Sequence, residues 1–190
     1  LTPEPEPPDI TDLLVQLRGG DSGAMERLMP LVYDELRRRA HYQLARGGPD
    51  AALDTTGLVH EAWMRLARSQ NATFADRNHF YGVAVKAMRS VVVDYARRKH
   101  AQKRGGIARQ VDLDDDLLRV SEDAAGILAV NQALDRLAHT DGRLAHLVEL
   151  RFFGGLSVDE TAEVLGVSDR TVKRDWTKAR ALLYGFLQGA

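Results

Sequence analysis

Arg170, Thr171, Lys173, Arg174 and Lys178 crowd one short stretch, RTVKRDWTK, and their types and spacing suit one kind of chemistry. A guanidinium presents parallel N–H donors that match guanine edges and phosphate oxygens, while an ammonium group is a point charge for phosphate. Val172, Trp176, Ala179 and Leu183 recur at i, i+4, i+7 and i+11, so a helix here buries one stripe and turns Arg170, Arg174 and Thr177 outward. Lys173 and Lys178 flank that outer face. Trp176 falls on the stripe, which assigns it to a core rather than to base stacking. Each Arg that pairs bidentately with guanine contributes about 1–3 kcal/mol of discrimination.

A helix that reads a groove must be held from behind, and the preceding residues describe the mount. Ser157 suits a helix N-terminus, and Glu160 three residues on completes a capping box. Ala162 and Leu165 fall on one face of that helix, with Ala162 small enough for a close approach. Gly166 supplies a backbone that tolerates positive φ, and Val167 plugs the turn. Ser168 caps again, and Asp169 suits the positive end of the next helix. A plain helical hairpin with a solvated charged face is the alternative. The small residue at the crossing, the Gly–hydrophobe–Ser turn and the positive charge confined to the second helix favour major-groove recognition.

A second basic stretch holds Lys86, Arg89, Arg97, Arg98, Lys99, Lys103, Arg104 and Arg109. Asp112, Asp114, Asp115, Asp116, Glu122 and Asp123 separate it from the first. The formal net charge is only −1, so attraction to nucleic acid must come from patches, and the isolated chain is expected to bind DNA weakly. The 190 residues are 44% hydrophobic, enough for one domain or two small ones with cores of their own. Cysteine is absent, which excludes disulfides and thiolate metal sites and fits a reducing compartment. No apolar run reaches bilayer length and no signal-peptide pattern opens the chain; the expected location is cytoplasmic, without membrane insertion.

The periodicity predicts an all-α protein of two small helical domains joined by a flexible acidic linker. Residues 1–9 are Pro/Glu-rich and read as a disordered tail. Residues 10–104 form the first domain, with helices over about 10–18, 22–45, 55–69 and 79–102. Leu28, Leu31, Val32, Leu36 and Tyr42 make the stripe of the second helix, where Pro30 marks a potential kink. Leu58, Val59, Ala62 and Leu66 make that of the third. In the fourth, Phe80, Ala84, Ala87, Met88, Val91 and Tyr95 form the buried stripe, with Lys86, Arg89 and Arg97 away from it. Val91, Val92 and Val93 suggest a strand, but the longer helical period prevails. Residues 105–123 are the linker, without a convincing strand, and 124–190 carry helices over about 124–138, 142–153, 158–165 and 169–187.

The order of these parts resembles the extracytoplasmic-function (ECF) type of RNA polymerase sigma factor, in the sigma-70 family. LVELRFFGGLSVDETAEVLGVSDRTVKRDWTKARALL resembles that family's promoter-reading region 4, a helix-turn-helix. DTTGLVHEAWMRLAR resembles the helix that docks on core polymerase, and RNHFYGVAVKAMRSVVVDYARRKHAQKR the region 2 helix that recognises and opens the -10 element. The resemblance implies a non-catalytic factor with core RNA polymerase and promoter DNA as partners, and it admits an anti-sigma factor as a third. Arg170, Thr171, Lys173, Arg174 and Lys178 would meet the -35 element, whereas Asp175 stands where many family members carry a basic residue. Asn78, His79 and Tyr81 would serve a flipped base of the -10 element, and Lys86, Arg89 and Arg97 its phosphates. Phe80 reads as core, and Asn78 and His79 serve equally as helix caps. Asp54, Leu58, Glu61, Trp63 and Arg65 would face a coiled-coil helix pair of the largest polymerase subunit, Trp63 being an aromatic anchor or a residue packed under its own domain's loop.

Other chemistries fit poorly. His60-Glu61 begins a zinc-protease pattern, but Met64 stands where the second His belongs. The Asp112–Asp123 stretch imitates a calcium loop, but Leu117 replaces its Gly and Asp123 its bidentate Glu. No P-loop or nucleophile elbow appears, so neither catalysis nor a cofactor or metal is expected. A helix-turn-helix regulator of the response-regulator type is the closest rival; it requires a strand–helix alternation that the N-terminal half lacks. An RNA-binding or scaffolding helical protein is a third class, which predicts no association with polymerase.

Overall fold

A computed structural model describes residues 9–46, 53–68, 74–102, 112–113, 118–119 and 124–188. Helices dominate the described residues. The first is α1 (Ile10–Arg18), followed by α2 (Gly23–Arg46), α3 (Thr55–Arg68) and α4 (Arg77–Gln102). Two short strands, β1 (Asp112–Leu113) and β2 (Leu118–Arg119), pair antiparallel within the stretch read as linker, where no strand is expected. The rest of that stretch, residues 1–8 and the Gly47-Gly48-Pro49 break lie outside the described residues. Beyond it come α5 (Ala124–Thr140), α6 (Gly142–Val148), a π turn (Glu149–Phe153), α7 (Val158–Leu165) and α8 (Asp169–Gln188).

The sequence assigns Asp9 to the tail, but it caps α1. Its carboxylate accepts from the Asp12 N–H at 2.8 Å, and Asp12 returns the bond to the Asp9 N–H at 3.4 Å. On α2, Leu28, Val32, Leu36 and Ala40 are buried, while Leu31 is 48% exposed. The buried residues step by four and drift slowly around the helix; at about 100° per residue Leu31 lies well off their line. Pro30 sits inside α2, and the helix continues through it.

Two hydrophobic clusters result. The first joins α1 to α4 around Leu13, Leu28, Leu58, Phe74, Phe80 and Met88, with the Phe74 and Phe80 rings edge to face at 5.2 Å. The second joins α5 to α8 around Leu134, Leu144, Val148, Phe153, Val172 and Trp176. Val85 of α4 belongs to the second cluster and is fully buried. Helix α4 therefore buries two faces: Phe80, Ala84, Met88 and Val91 point into the first cluster, and Val85 into the other. The expected single stripe is half of the truth.

The π turn seats the C-terminal helices on the N-terminal ones. Gly154 N–H bonds to the Glu149 carbonyl at 3.0 Å, the i→i+5 spacing that widens a helical turn. At Gly154 a Cβ would run into the Leu150 carbonyl oxygen, and at Gly155, where φ is +64°, it would meet the Tyr42 ring at 2.6 Å. Only glycine lets this corner approach α2 so closely.

Candidate nucleic-acid interface

The mount of α8 forms as its residues dictate. Glu160 N–H bonds to Ser157 Oγ at 3.1 Å, and the Glu160 carboxylate accepts from the Ser157 N–H at 2.8 Å. Gly166 ends α7 in the left-handed region, with φ 63° and ψ 36°. Ser168 Oγ then accepts from the Thr171 N–H at 3.3 Å and starts α8. Val172, Trp176, Ala179 and Leu183 are buried, so the inward stripe of α8 is as expected, Trp176 included. The Arg151 guanidinium lies over the Trp176 ring, 4.5 Å from its centroid.

On the outer side Arg170, Lys173, Arg174 and Lys178 are exposed and Thr171 is half-buried. The Arg174 side chain is 72% accessible and meets its neighbour Asp175 at 3.2 Å. Lys178 lies 3.6 Å from Asp141, whose carboxylate caps α6 through the Leu144 N–H. That bond, assisted by Lys178 and Arg143, holds the Asp141 carboxyl below its ordinary range. Asp175 is buried, and its carboxylate meets Arg143 of α6 at 2.6 Å. The acid in the recognition stretch thus ties α8 to α6 beneath the cationic surface.

Helix α4 begins two residues earlier than its pattern predicts, capped by Asp76, whose carboxylate accepts from the His79 N–H at 2.7 Å. His79 Nδ1 accepts in turn from the Ala75 N–H at 3.0 Å, so His79 completes the cap while its ring stays exposed. Asn78 lies inside the helix, half-buried, and Phe80 is core. Tyr81 is buried, not displayed to solvent as a base platform requires. Its ring lies between the guanidinium groups of Arg39 and Arg77, at 5.2 and 5.6 Å from the centroid. Burial pushes the Tyr81 hydroxyl up, against the opposing pull of Arg77.

Further along α4, Lys86 is half-exposed and 3.7 Å from Glu149. Arg89 is nearly buried: it pairs with Glu149, meets Asp135 at 2.9 Å and donates to Asn131 Oδ1 at 2.8 Å. Arg89 was expected away from the packed faces, and the structure turns it into the contact with α5 and the π turn. Burial alone would raise the Glu149 carboxyl; His146, Arg89 and Lys86 outweigh it and hold the group below its ordinary range. Arg97, one turn from the end of the helix, is exposed and paired with Asp94 at 3.3 Å. Asn78, Tyr81, Lys86 and Arg89 thus face the C-terminal helices, exposed Arg97 lines the cleft beside Lys86 and Arg89, and His79 is exposed at the start of the helix.

On α3 the expected docking residues divide. Asp54 accepts from the Gly57 N–H at 2.6 Å and caps the helix. Leu58 is fully buried in the first cluster, so it supports the domain core instead of offering a surface. Trp63 is half-buried against that same cluster, Glu61 is exposed, and Arg65 is held to α4 through Ser90 at 2.5 Å and Asp94 at 2.9 Å.

Sequence reasoning missed Arg39, Arg77, Asn131, Asp135, Arg143 and Glu149. Glu149, the one acid in the largely apolar run LVELRFF, carried a signal, because an acid within a buried run needs a partner. Arg39 carried another in its i, i+4 spacing to Glu35, which it meets at 2.5 Å.

Among the described residues no cluster of His, Asp or Glu is placed to hold a metal ion, and no helix is long and apolar enough to cross a membrane. The chain matches the ECF sigma factor family over residues 7–188. It is also 27% identical, over 166 residues, to the ECF RNA polymerase sigma factor BldN of Streptomyces coelicolor. That similarity covers 86% of this chain and 60% of the relative, so the chain spans less than two thirds of the relative's length. With a family match running through both helical clusters and the whole α7–α8 unit, the chain belongs to the ECF sigma factors.

Proposed function

We propose that this chain binds core RNA polymerase and directs promoter-specific initiation as an alternative sigma factor. Residues 10–104 act as the region that docks on polymerase and engages the -10 element, 105–123 as linker, and 124–190 as the helix-turn-helix domain for the -35 element. The observation that carries the reading is α8, with exposed Arg170, Lys173, Arg174 and Lys178 opposite the buried Val172–Trp176–Ala179–Leu183 stripe. The N-terminal turn of such a helix meets base edges in the major groove, and Lys178, further along, meets phosphate. Asp175 makes no DNA contact in this scheme; it orients Arg143 and Arg174.

His79, exposed at the start of α4, is the residue of that helix best placed for an unstacked -10 base, with Arg97 for phosphate. Exposed Glu61 and the outer edge of Trp63 are the polymerase-facing part of α3. The response-regulator alternative loses ground because the described N-terminal residues contain helices alone, without the strand–helix alternation it requires.

Two substitutions test the division of labour. Arg174→Glu lowers promoter-dependent transcription roughly 5- to 150-fold and leaves polymerase association intact, the loss of one guanine pair being worth about 1–3 kcal/mol. Trp63→Ala weakens polymerase association first. Loss of both properties in either variant, with folding preserved, contradicts the assignment.

A further inference from the structure

The start of α6 and one flank of α8 are tied together twice. Asp175 holds its Oδ2 2.6 Å from Arg143 Nη1, while its Oδ1 accepts from Arg174 Nε and Nη2 at 3.2 Å. Lys178, one turn past Arg174, stands 3.6 Å from Asp141, two residues before Arg143. The two pairs bring the first turn of α6 beside the cations of α8, with Arg143 across the carboxylate from Arg174. The carboxylate is hidden and its cations are not. The Asp175 side chain is 5% accessible, whereas Arg143 is 48%, Lys178 63% and Arg174 72% accessible.

We propose that Arg143 is a further DNA contact, a phosphate-binding cation that α6 adds to the surface of α8 and that the buried Asp175 carboxylate holds in place. The proposal rests on the assignment of α8 to duplex DNA. An acid displayed within a cationic stretch would repel phosphate. Asp175 is instead enclosed between two guanidinium groups, so the three side chains together offer positive charge outward. Arg143 spends one end of its fork on Asp175 and keeps about half of its side chain in solvent. A guanidinium carries enough N–H donors to hold a carboxylate and a phosphate oxygen at once. A fork fixed before DNA arrives also avoids part of the ordering cost of a long side chain on binding. A helix beside the one in the groove runs over the sugar–phosphate backbone, so Arg143 meets phosphate and not base edges.

The contact is read from the salt dependence of binding by the full chain to a short fluorescent DNA duplex, titrated between about 0.05 and 0.2 M salt. Asp175→Asn is the reference, because the amide leaves no charge for Arg143 to balance. Adding Arg143→Gln to it should flatten the slope of log K against log salt by about 0.9. Affinity near 0.1 M salt should fall roughly five- to tenfold, and equally for every duplex sequence. Adding Arg143→Lys should keep the slope, since an ammonium group also holds a phosphate. A slope unchanged by Arg143→Gln, or lost equally with Lys, overturns the proposal, because Arg143 is then no more than the partner of Asp175. If Asp175→Asn fails to fold by circular dichroism, Arg143→Gln against Arg143→Lys in the otherwise unaltered chain decides by the same comparison. Arg174→Glu is the control for α8. If it alone weakens binding, only the role of Arg143 fails; if neither does, the assignment of α8 to DNA fails with it.

Discussion

Replacing Glu149 by Gln removes one charge from the contact between the π turn and α4 and keeps the shape of the side chain. Its carboxylate is about one-eighth accessible and has Arg89, Lys86 and His146 around it. Stripping a buried ion of its only partner costs about 3–5 kcal/mol. Arg89 keeps Asp135 and Asn131, and the amide still accepts a hydrogen bond, so the expected loss is smaller, about 1–2 kcal/mol. In a chain of this length that lowers Tm by about 2–8 °C.

The pH dependence identifies the cause. The folded-state value of Glu149 is depressed, so its contribution is fully present above the unfolded glutamate value of about 4.3 and is lost as pH falls through the folded value. Differential scanning calorimetry at pH 7 should separate wild type from variant by several degrees, and the gap should close progressively between about pH 5 and pH 3. A gap that stays constant over that range would refute the reasoning, because the loss would then come from packing and not from charge. Equal Tm values at pH 7 would refute it more simply.

Other residues test other parts of the structure. Leu58→Ala should cost about 2–5 kcal/mol of stability by denaturant titration, as a cavity in the first cluster, and reduce polymerase association only in proportion to unfolded chain. Gly166→Ala should destabilise the α7–α8 turn by about 1–2 kcal/mol, visible as faster amide exchange in those helices, because φ is +63° there. His79→Ala should impair strand opening, read by permanganate reactivity, more than binding to duplex promoter. Losing its bond to the Ala75 N–H should cost only about 1 kcal/mol of stability.

How much of this was legible in the sequence depended on range. The capping box at Ser157 and Glu160, the left-handed Gly166, and the limits of α1 and α7 are local events, set by neighbours within a turn, and they read directly. The α8 surface was equally readable, because one helix carried both the buried stripe and the cations. Helix α4 was not, since a helix buried on two sides has no single apolar stripe, and the second face is apparent only when α5 and the π turn lie against it. Arg89 was assigned to phosphate on type and spacing alone. Its partners Asn131, Asp135 and Glu149 lie some 40 to 60 residues further on, beyond any pattern of periodicity. Leu58 misled for a related reason: a Leu beside Trp63 and Glu61 resembles an interface anchor until the core beneath it is visible.

The most direct measurement is run-off transcription from a promoter library by bacterial core RNA polymerase, with and without the purified chain. Initiation at a restricted set of promoters sharing a -35 sequence, lost with Arg174→Glu, is the predicted result. If the polymerase starts nowhere new when the chain is added, and the chain does not associate with it, the assignment of α8 and α4 to promoter DNA is wrong.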